Sequence, residues 1–240
     1  MKILIVNDDS IHAPGIAALA KAAAGFGEVY VVAPASQCSA MSQKLTLTEP
    51  LTLEKVEDFP GDVVSAYKLG GTPVDCVKVA LEYLLEEKPD YVFSGINNGY
   101  NAGFDIAYSG TLGAAFEAVR NGVPAIAFSV AGDAHLETAE SYLPEIMREL
   151  LQTQPESGVV WNVNFPALKR KPCLGILRDR TMAPTSMYRE IYIEERQPDG
   201  TVTLRCKGMP TPDELLPEGS DAAAVRGGYI SIGKVRCAGL

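Results

Sequence analysis

The feature of this sequence that most constrains its fold is a regular alternation of short apolar runs with helical stretches. The run KILIV at residues 2–6 is followed by a stretch at 14–27 with Pro near its start and Gly at its end, as is common in helices. The run EVYVVA at 28–33 is apolar after Glu28, like a strand buried on both faces. Strands separated by helices pair in parallel through right-handed crossovers. The alternation therefore predicts an α/β fold, with a mostly parallel sheet and helices on both faces.

The alternation continues to about residue 166, and the character of the chain then changes. We predict further helices at 72–89, 111–122 and 137–152, and further strands at 90–95, 124–130 and 158–165. The runs REIYIEE and TVTLRC, separated by QPDG, are typical of a β-hairpin, and residues 208–221 are typical of a loop or an extended arm. We therefore divide the chain into a core at 1–166 and a smaller C-terminal part at 167–240, whose final strand is expected to return to the core.

The amino-acid composition argues against some classes of binding partner. The 240 residues are 47% hydrophobic and 21% charged, which is enough apolar content for a sizeable core. The net charge of −9 and the isoelectric point near 4.8 argue against nucleic acid or an anionic membrane as the main partner. The sequence shows neither a signal peptide nor an apolar run long enough to span a bilayer, so we expect a cytoplasmic protein.

The five cysteines are far apart, odd in number and without a CxxC pattern. This spacing predicts neither a disulfide framework nor a zinc cluster. We expect reduced cysteines, most of them packed as small apolar side chains.

Polar side chains are concentrated in three loops that follow predicted strands. Asp8 and Asp9 follow the first strand, residues 34–42 follow the second, and residues 94–111 lead from the strand at 90–95 into a helix. In an open α/β sheet, ligands bind outside the carboxyl ends of the strands. We therefore expect the three loops to meet at one edge of the sheet and to form a binding site there.

The adjacent carboxylates of Asp8 and Asp9 indicate what this site binds. Two such groups repel each other unless a cation or a proton lies between them. Carboxylate, amide and hydroxyl oxygens are hard ligands that suit Mg²⁺ or Mn²⁺. In the alternative interpretation, Asp9 or Ser10 only caps the following helix. The acidic pair together with the two other polar loops favours a divalent cation.

Several motifs together resemble one known family. They are ILIVNDD followed by APGI, the VAP and Ser of the second loop, LGGTPVDCV, SGINNGYNAGFDIAYSGTLGAA and a late GGYISI. The match covers the chain from end to end, and its long glycine-rich element is far more specific than an isolated GxGxxG. The chain resembles the SurE family of metal-dependent nucleoside monophosphate phosphatases. The resemblance implies a Rossmann-like core and a C-terminal part that forms homodimers or homotetramers by exchanging elements.

The resemblance also implies an activity and a set of site residues. The activity is hydrolysis of nucleoside 5′- and 3′-monophosphates, and by analogy of short polyphosphate, with one divalent cation, Mg²⁺ or Mn²⁺, per subunit. Carried over to matching positions, the metal ligands are Asp8, Asp9, Ser39 and Asn97, the catalytic residues are Asp8 and Asp9, and the phosphate contacts are Ser109, Gly110 and Thr111.

The residues themselves support a phosphate site at the YSGT motif. The motif lies at the start of a predicted helix, where free N–H groups and the helix dipole bind anions, and Gly110 allows close approach of the backbone. Lys and Arg are absent between residues 88 and 120, so a cation must supply most of the charge neutralisation and acidify a bound water. Asp8 and Asp9 are both candidates to orient or deprotonate that water, and the sequence leaves the choice open.

Three residues near the site depart from the family pattern. Ser10 stands where the family usually has Gly, Cys38 where it usually has Arg before the ligand Ser39, and Lys44 where a small residue is common. The loss of the Arg bears on phosphate affinity and substrate preference. Lys44 is either a compensating cation or a solvated side chain. The C-terminal GYISIGKVRCAGL also lacks the usual Thr-Pro-Leu, so we expect the last residues to dock differently.

Two other classes of protein remain open at this point. A phosphotransfer receiver also has an acidic pair after its first strand, but it needs a further Asp and a later Lys, and this chain is about twice the usual length. A non-catalytic nucleotide-binding module is expected to carry GxGxxG after the first strand, which this chain lacks. The late GYISIGKV is not a P-loop, because it ends in Val and leaves no room for a helix.

Aromatic and histidine side chains complete the predictions. Tyr100 and Phe104, in the glycine-rich loop, are candidates for stacking on a base. We predict that Trp161, Tyr91 and Tyr108 belong to the core. His12 is assigned no catalytic role, and His135 is expected at the start of a helix.

Overall fold

The structure is a computed structural model that describes residues 1–131, 136–153, 156–168 and 172–238. His135 lies outside the described residues. The strands are β1 Lys2–Val6, β2 Glu28–Pro34, β3 Leu53–Lys55, β4 Ser65–Leu69, β5 Tyr91–Asn98, β6 Ala125–Val130, β7 Val159–Phe165, β8 Ile176–Arg180, β9 Tyr188–Arg196, β10 Val202–Pro210 and β11 Ile230–Arg236. The α-helices are α1 Pro14–Ala23, α2 Pro73–Val79, α3 Gly110–Arg120, α4 Glu137–Leu151 and α5 Asp221–Arg226.

Nine of the strands form one sheet, in the order β3-β4-β2-β1-β5-β6-β7-β11-β8. β1 pairs in parallel with β2 on one side and with β5 on the other, so the order of the strands reverses beside β1. The antiparallel pairs are β3 with β4 and β11 with β7. The predicted mostly parallel sheet is confirmed, and ligands are expected where the order reverses.

Helices cover both faces of the large sheet, as predicted. α1 and α4 pack on one face, in a buried cluster that includes Ile16, Leu19 and Leu143. α2 and α3 pack on the other face, in a cluster that includes Val77 and Leu112. Because α1 and α3 start from the same edge of the sheet on opposite faces, their N-terminal ends lie on either side of the loops that follow β1 and β5.

Two elements differ from the sequence prediction. The helix predicted at 72–89 is shorter, since α2 ends at Val79 and continues only as a wider turn at Ala80–Leu84. The segment predicted as a loop at 208–221 contains the end of β10 and a short turn at Asp213–Leu215 before α5 begins. α5 is only six residues long, too short for its apolar periodicity to be recognised in the sequence.

The predicted hairpin is confirmed and stands apart from the large sheet. Among the strands of the described residues, β9 and β10 pair only with each other, and all their residues are exposed. β11 lies in the large sheet between β7 and β8. β8 was not predicted, because three of the five residues in its sequence ILRDR are charged. The division at residue 166 stays a prediction.

The cysteines and aromatic residues follow the predictions with one exception. All five cysteines are free, and Cys38, Cys76 and Cys237 are buried. Trp161 and Tyr91 are buried, at 7% and 5% exposure. The prediction for Tyr108 was wrong, because its side chain is 62% exposed at the end of the turn before α3.

Among the helices in the described ranges, none combines the length and the apolar character needed to cross a bilayer.

Candidate active site

Asp8 directly follows β1 and lies under the first turn of α3. It is buried, with 3% exposure, and its Oδ1 accepts a hydrogen bond of 2.8 Å from Thr111 Oγ1. Its Oδ2 accepts no hydrogen bond from the described part of the chain. A Cβ placed on Gly110 would lie 3.0 Å from Oδ2 and from the Asp8 Cβ, so the absence of a side chain at Gly110 makes this close packing possible.

Asp9 lies on the other side of the loop, toward α1. Its Oδ2 accepts a 2.7 Å hydrogen bond from the backbone N–H of Asn98, and its Oδ1 accepts a 3.5 Å bond from Gln37 Nε2. Asp9 therefore connects the loops that follow β1 and β2 with the end of β5. The convergence of the three polar loops follows from these contacts.

Electrostatics at the pair favour binding of a cation. Burial raises the pKa of Asp8 from 3.8 to about 6, and the Asp9 charge adds to this; the hydrogen bond from the Thr111 hydroxyl and the nearby backbone N–H groups of Asp8 and Thr111 oppose it. Burial also raises the pKa of Asp9, against its bonds to Asn98 and Gln37. The ion pairs of the described residues include neither carboxylate. A divalent cation would neutralise both charges at once.

The start of α3 forms the second half of the site. Ser109 is the N-cap of α3, and its Oγ accepts a 3.0 Å hydrogen bond from Leu112 N–H. The backbone N–H of Gly110 donates to no acceptor in the described residues. The hydroxyl proton of Thr111 is donated to Asp8, so it is not free for an anion in this arrangement. An anion here would meet the Gly110 N–H, the Ser109 hydroxyl and the positive end of the α3 dipole.

Asn97 lies at the end of β5, and Ser39 lies on the loop that follows β2. Asn97 Nδ2 donates a 2.9 Å hydrogen bond to Gly99 O, and its amide oxygen accepts none in the described residues. Ser39 is exposed and follows Cys38, whose N–H donates a 2.7 Å bond to Asp8 O. The structure thus brings all the predicted site residues to one edge of the sheet.

The donor set fits a hard divalent cation. In the described ranges no three His, Cys, Asp or Glu side chains converge, so a soft-metal cluster is not formed there. Two carboxylates, the Asn97 amide oxygen and the Ser39 hydroxyl are all hard oxygen donors, the type that Mg²⁺ and Mn²⁺ prefer. The unbonded oxygens of Asp8 and Asn97 leave ligand atoms free for such an ion.

Sequence reasoning missed a buried amide cluster beneath the glycine-rich loop. Asn101 donates from its N–H to Asn164 Oδ1 (2.9 Å) and from Nδ2 to Ser129 Oγ (2.6 Å). Its carbonyl oxygen accepts bonds from Asn162 Nδ2 (2.8 Å) and Asn164 Nδ2 (3.0 Å). This cluster fixes the loop that follows Asn97. The alternating asparagines of WNVNF, in an otherwise apolar strand, were the available signal.

Asp221 is a second buried carboxylate that the sequence analysis missed. Its oxygens accept backbone hydrogen bonds from Gly103 (3.0 Å), Ala183 (2.9 Å) and Ala222 (2.7 Å). It joins the glycine-rich loop to the base of the hairpin and to the start of α5. Burial raises the pKa of Asp221, and the three N–H donors lower it.

The two aromatic candidates occupy different environments. The Tyr100 hydroxyl accepts a 2.8 Å hydrogen bond from Ala167 N–H, and its ring packs on a buried cluster around Met187, which is a structural role. Phe104 is 49% exposed and lines a cavity of about 610 Å³ together with Tyr108 and Ser109. Phe104 therefore remains available to an aromatic ligand.

Fold and site together define a class of protein: an open α/β protein in which oxygen-bearing side chains and the start of a helix meet where the strand order reverses, the usual place for a ligand in such a sheet. The chain belongs to the SurE family, since the family model described as "Survival protein SurE" matches residues 3–190. The 5′-nucleotidase SurE of Flavobacterium johnsoniae is 39% identical over 233 residues, which cover 96% of this chain and 88% of that protein. The 5′-nucleotidase SurE 1 of Thermus thermophilus is 37% identical over 235 residues, with 97% and 90% covered.

A solved structure agrees with the sequence relatives. The crystal structure of the SurE protein from Aquifex aeolicus matches with a TM-score of 0.84 at 34% identity, covering 98% of this chain and 93% of that one. The resemblance seen in the sequence motifs is confirmed. A receiver domain and a non-catalytic nucleotide-binding module are not favoured.

Proposed function

We propose that this chain is a divalent-metal-dependent 5′-nucleotidase that hydrolyses the phosphomonoester of nucleoside 5′-monophosphates. Relatives named 5′-nucleotidase SurE align over 96% and 97% of the chain, which supports the nucleotidase class. The observation that carries the site assignment is the unbonded Asp8 Oδ2 packed against Gly110, at the start of α3. This oxygen lies between the position proposed for the cation and the position proposed for the phosphate.

We assign the cation to Asp8, Asp9, Asn97 and Ser39. When bound, a divalent ion supplies charge neutralisation for the phosphoryl oxygens and lowers the pKa of water. Thr111 and Asn98 hold the two carboxylates in place by hydrogen bonds of 2.8 and 2.7 Å. One of the two carboxylates accepts the proton of the attacking water.

We assign the phosphate to Ser109, Gly110 and Thr111. The Gly110 N–H and the Ser109 hydroxyl donate hydrogen bonds to phosphoryl oxygens at the positive end of α3. Thr111 acts through the position of Asp8, because its hydroxyl donates to that carboxylate. These donors orient the ester without requiring a Lys or Arg from α3 itself.

The experiment that tests this function measures phosphate released from AMP by the purified chain, with Mg²⁺ or Mn²⁺ and after exhaustive chelation. We expect activity that is lost on chelation and restored by either added ion. Full activity after chelation would refute the metal requirement. Absence of phosphate release from every nucleoside monophosphate, with both metals, would refute the nucleotidase assignment.

We extend the proposal to 3′-monophosphates and short polyphosphate, since the Gly110 N–H and the Ser109 hydroxyl recognise the phosphoryl group rather than the position of its ester. A panel of 5′- and 3′-nucleotides, sugar phosphates and tripolyphosphate measures this range. We also propose a cytoplasmic location, because five free cysteines fit a reducing compartment.

We propose that the hairpin β9–β10 mediates self-association. An isolated two-stranded hairpin is marginally stable in water. This one exposes Ile191, Tyr192, Ile193 and Leu204 by 45–66%. A second copy of the chain that exchanges or pairs hairpins would cover this surface, as the family resemblance implies.

The ends of the hairpin allow a clean test. Thr211 N–H donates a 2.9 Å hydrogen bond to Met187 O, so residues 188–210 can be replaced by a short Gly-containing turn. Light scattering at micromolar concentration should show a dimer or tetramer for the parent and a smaller species for the variant. A monomeric parent would contradict the proposal.

A further inference from the structure

One cavity adjoins the start of α3 and is lined along one side by the short turn Phe104–Tyr108. Its volume of about 610 Å³ lies within the usual range for small-molecule sites, and Ser109 forms part of its wall. Ser109 is also the N-cap of α3, where we place the phosphate. A substrate whose phosphoryl group binds at Ser109 therefore has this cavity open to the rest of the molecule.

The turn that lines the cavity is fixed at both ends by backbone hydrogen bonds. At its start, Phe104 N–H donates a 3.0 Å bond to Thr185 O. At its end, Tyr108 O accepts a 3.0 Å bond from Ser42 N–H. The side chains of the turn therefore extend from a backbone whose position relative to Ser109 is held on two sides.

Two aromatic side chains of this turn line the cavity and are not packed into the core. Phe104 is 49% exposed and Tyr108 is 62% exposed. Tyr108 directly precedes Ser109 in the chain, and a 3₁₀ turn rises about 2 Å per residue, so the Phe104 Cα lies roughly 10 Å from that of Ser109. The two rings thus lie at increasing distance from the phosphate site, as the sugar and the base of a nucleotide do.

The rest of the cavity lining offers no free cation among the described residues. Arg236 is the one charged side chain that they contribute to it, and its Nη2 is paired with Glu156 Oε2 at 2.7 Å. Met182, which is 48% exposed, adds a polarisable thioether, a group that makes favourable contacts with aromatic rings. This lining suits a neutral, flat ring better than a further phosphate group.

We infer that this cavity binds the nucleobase of the substrate, and that Phe104 and Tyr108 are specificity-determining residues whose rings stack on the base. This inference rests on the proposed function. Stacking on an aromatic side chain stabilises binding of every base, because each base has a π face. It distinguishes nucleotides from phosphomonoesters without a base, such as ribose 5-phosphate. Because a purine has the larger ring system, we expect AMP to be preferred over CMP.

The test compares Phe104→Ala with the parent on AMP and on ribose 5-phosphate, at fixed free Mn²⁺. We expect kcat/KM for AMP to fall by about tenfold, mainly through KM, and kcat/KM for ribose 5-phosphate to change by less than about twofold. Tyr108→Ala should change the two substrates in the same direction. Phe104→Tyr keeps a ring and should retain most of the activity on AMP. Tyr83→Ala, which removes a ring that is 78% exposed outside the cavity, should alter neither substrate.

A binding measurement tests the inference without turnover. Adenosine carries the base and no phosphate, so calorimetric titration should show that it binds Phe104→Ala about tenfold more weakly than the parent. Equal losses for AMP and ribose 5-phosphate, no loss for either, or an unchanged adenosine affinity would overturn the inference while leaving the nucleotidase intact. A smaller species of Phe104→Ala in light scattering, with equal changes for both substrates, would assign the cavity to a second copy of the chain and also overturn it. A parent that releases phosphate from no nucleoside monophosphate would overturn the proposed function instead.

Discussion

Asp8 and Asp221 are buried to nearly the same extent, at 3% and 4% exposure, but they lie in regions built in opposite ways. Asp221, beneath the glycine-rich loop, accepts three backbone hydrogen bonds, from Gly103, Ala183 and Ala222. Asp8, at the edge of the sheet, accepts one side-chain bond from Thr111, and no donor among the described residues bonds its Oδ2. Burial raises the pKa of both groups, so burial alone does not distinguish them.

The number of hydrogen-bond donors distinguishes a structural carboxylate from one that can bind a ligand. A buried carboxylate with a full set of donors stabilises its surroundings, and any further ligand would have to displace those donors. A buried carboxylate with a free oxygen, beside a second carboxylate, is stable only with a proton or a cation. The Asp8 region therefore favours ligand binding over stability of the ligand-free protein.

The largest expected effect is on turnover in Asp8→Asn and Asp9→Asn. Each change removes one of the two charges that hold the cation, so phosphate release from AMP should fall by about 100-fold or more. Asp221→Asn is the matched control, with the same change of atoms at a residue that contacts no proposed ligand. Its turnover should stay within a few-fold of the parent at temperatures where it is folded. Near-parental turnover in both Asp8→Asn and Asp9→Asn would show that the pair is not the metal site.

Stability should respond in the reverse order. In Asp221→Asn one oxygen becomes an NH₂ group that faces an N–H donor, either that of Gly103 or that of Ala183, so the free energy of unfolding should fall by about 2–4 kcal/mol. In metal-free Asp8→Asn a repulsion is removed, so the melting temperature should equal or exceed that of the metal-free parent. Thermal melts in the presence of chelator measure both. A loss of stability in metal-free Asp8→Asn would contradict the repulsion between the two carboxylates; the alternative that Asp9 or Ser10 caps α1 is already wrong, because the N-cap is Ala13 and no side chain caps the helix.

The pH dependence of stability gives a further test of the comparison between Asp8 and Asp221. Because the pKa of Asp8 is raised from 3.8 to about 6, the folded metal-free protein binds this proton more tightly than the unfolded chain. The resulting stabilisation is fully present below about pH 4 and is lost as the pH rises through about 6, a change on the order of 3 kcal/mol. Asp221 is present in both proteins, so the difference in unfolding free energy between the parent and Asp8→Asn reports on Asp8 and its coupling to Asp9. A difference that does not vary between pH 4 and 7 would contradict the shift.

The smallest effect concerns the turn between Asp9 and α1. Ser10 has φ of 98°, in the left-handed region that favours glycine, which accounts for the Gly that the family usually has at this position. Ser10→Gly should raise the free energy of unfolding by about 1 kcal/mol through relief of strain. Ser10→Ala keeps the Cβ and should give no such gain. Equal stability of the Gly and Ala variants in denaturant titrations would refute the strain.

The sequence was sufficient to predict the large sheet, the hairpin and the meeting of the three polar loops. Apolar periodicity, and the rule that ligands bind at the carboxyl ends of parallel strands, need no long-range information. The sequence was not sufficient to predict which hydrogen bonds the buried carboxylates accept. Asp221 meets Gly103 across 118 residues of chain, and no local pattern indicates that pairing. The free oxygen of Asp8 likewise depends on the packing of Gly110 against it. Such properties depend on tertiary contacts rather than on periodicity.

The measurement that most directly tests the account is calorimetric titration of Mn²⁺ into the metal-free parent, Asp8→Asn and Asp221→Asn at neutral pH. We expect the parent to bind one Mn²⁺ per chain and Asp221→Asn to bind it with an affinity within a few-fold of the parent. We expect the Mn²⁺ affinity of Asp8→Asn to be at least about 100-fold weaker than that of the parent. Parental Mn²⁺ affinity in Asp8→Asn, or an equal loss in folded Asp221→Asn, would contradict the distinction between the two carboxylates.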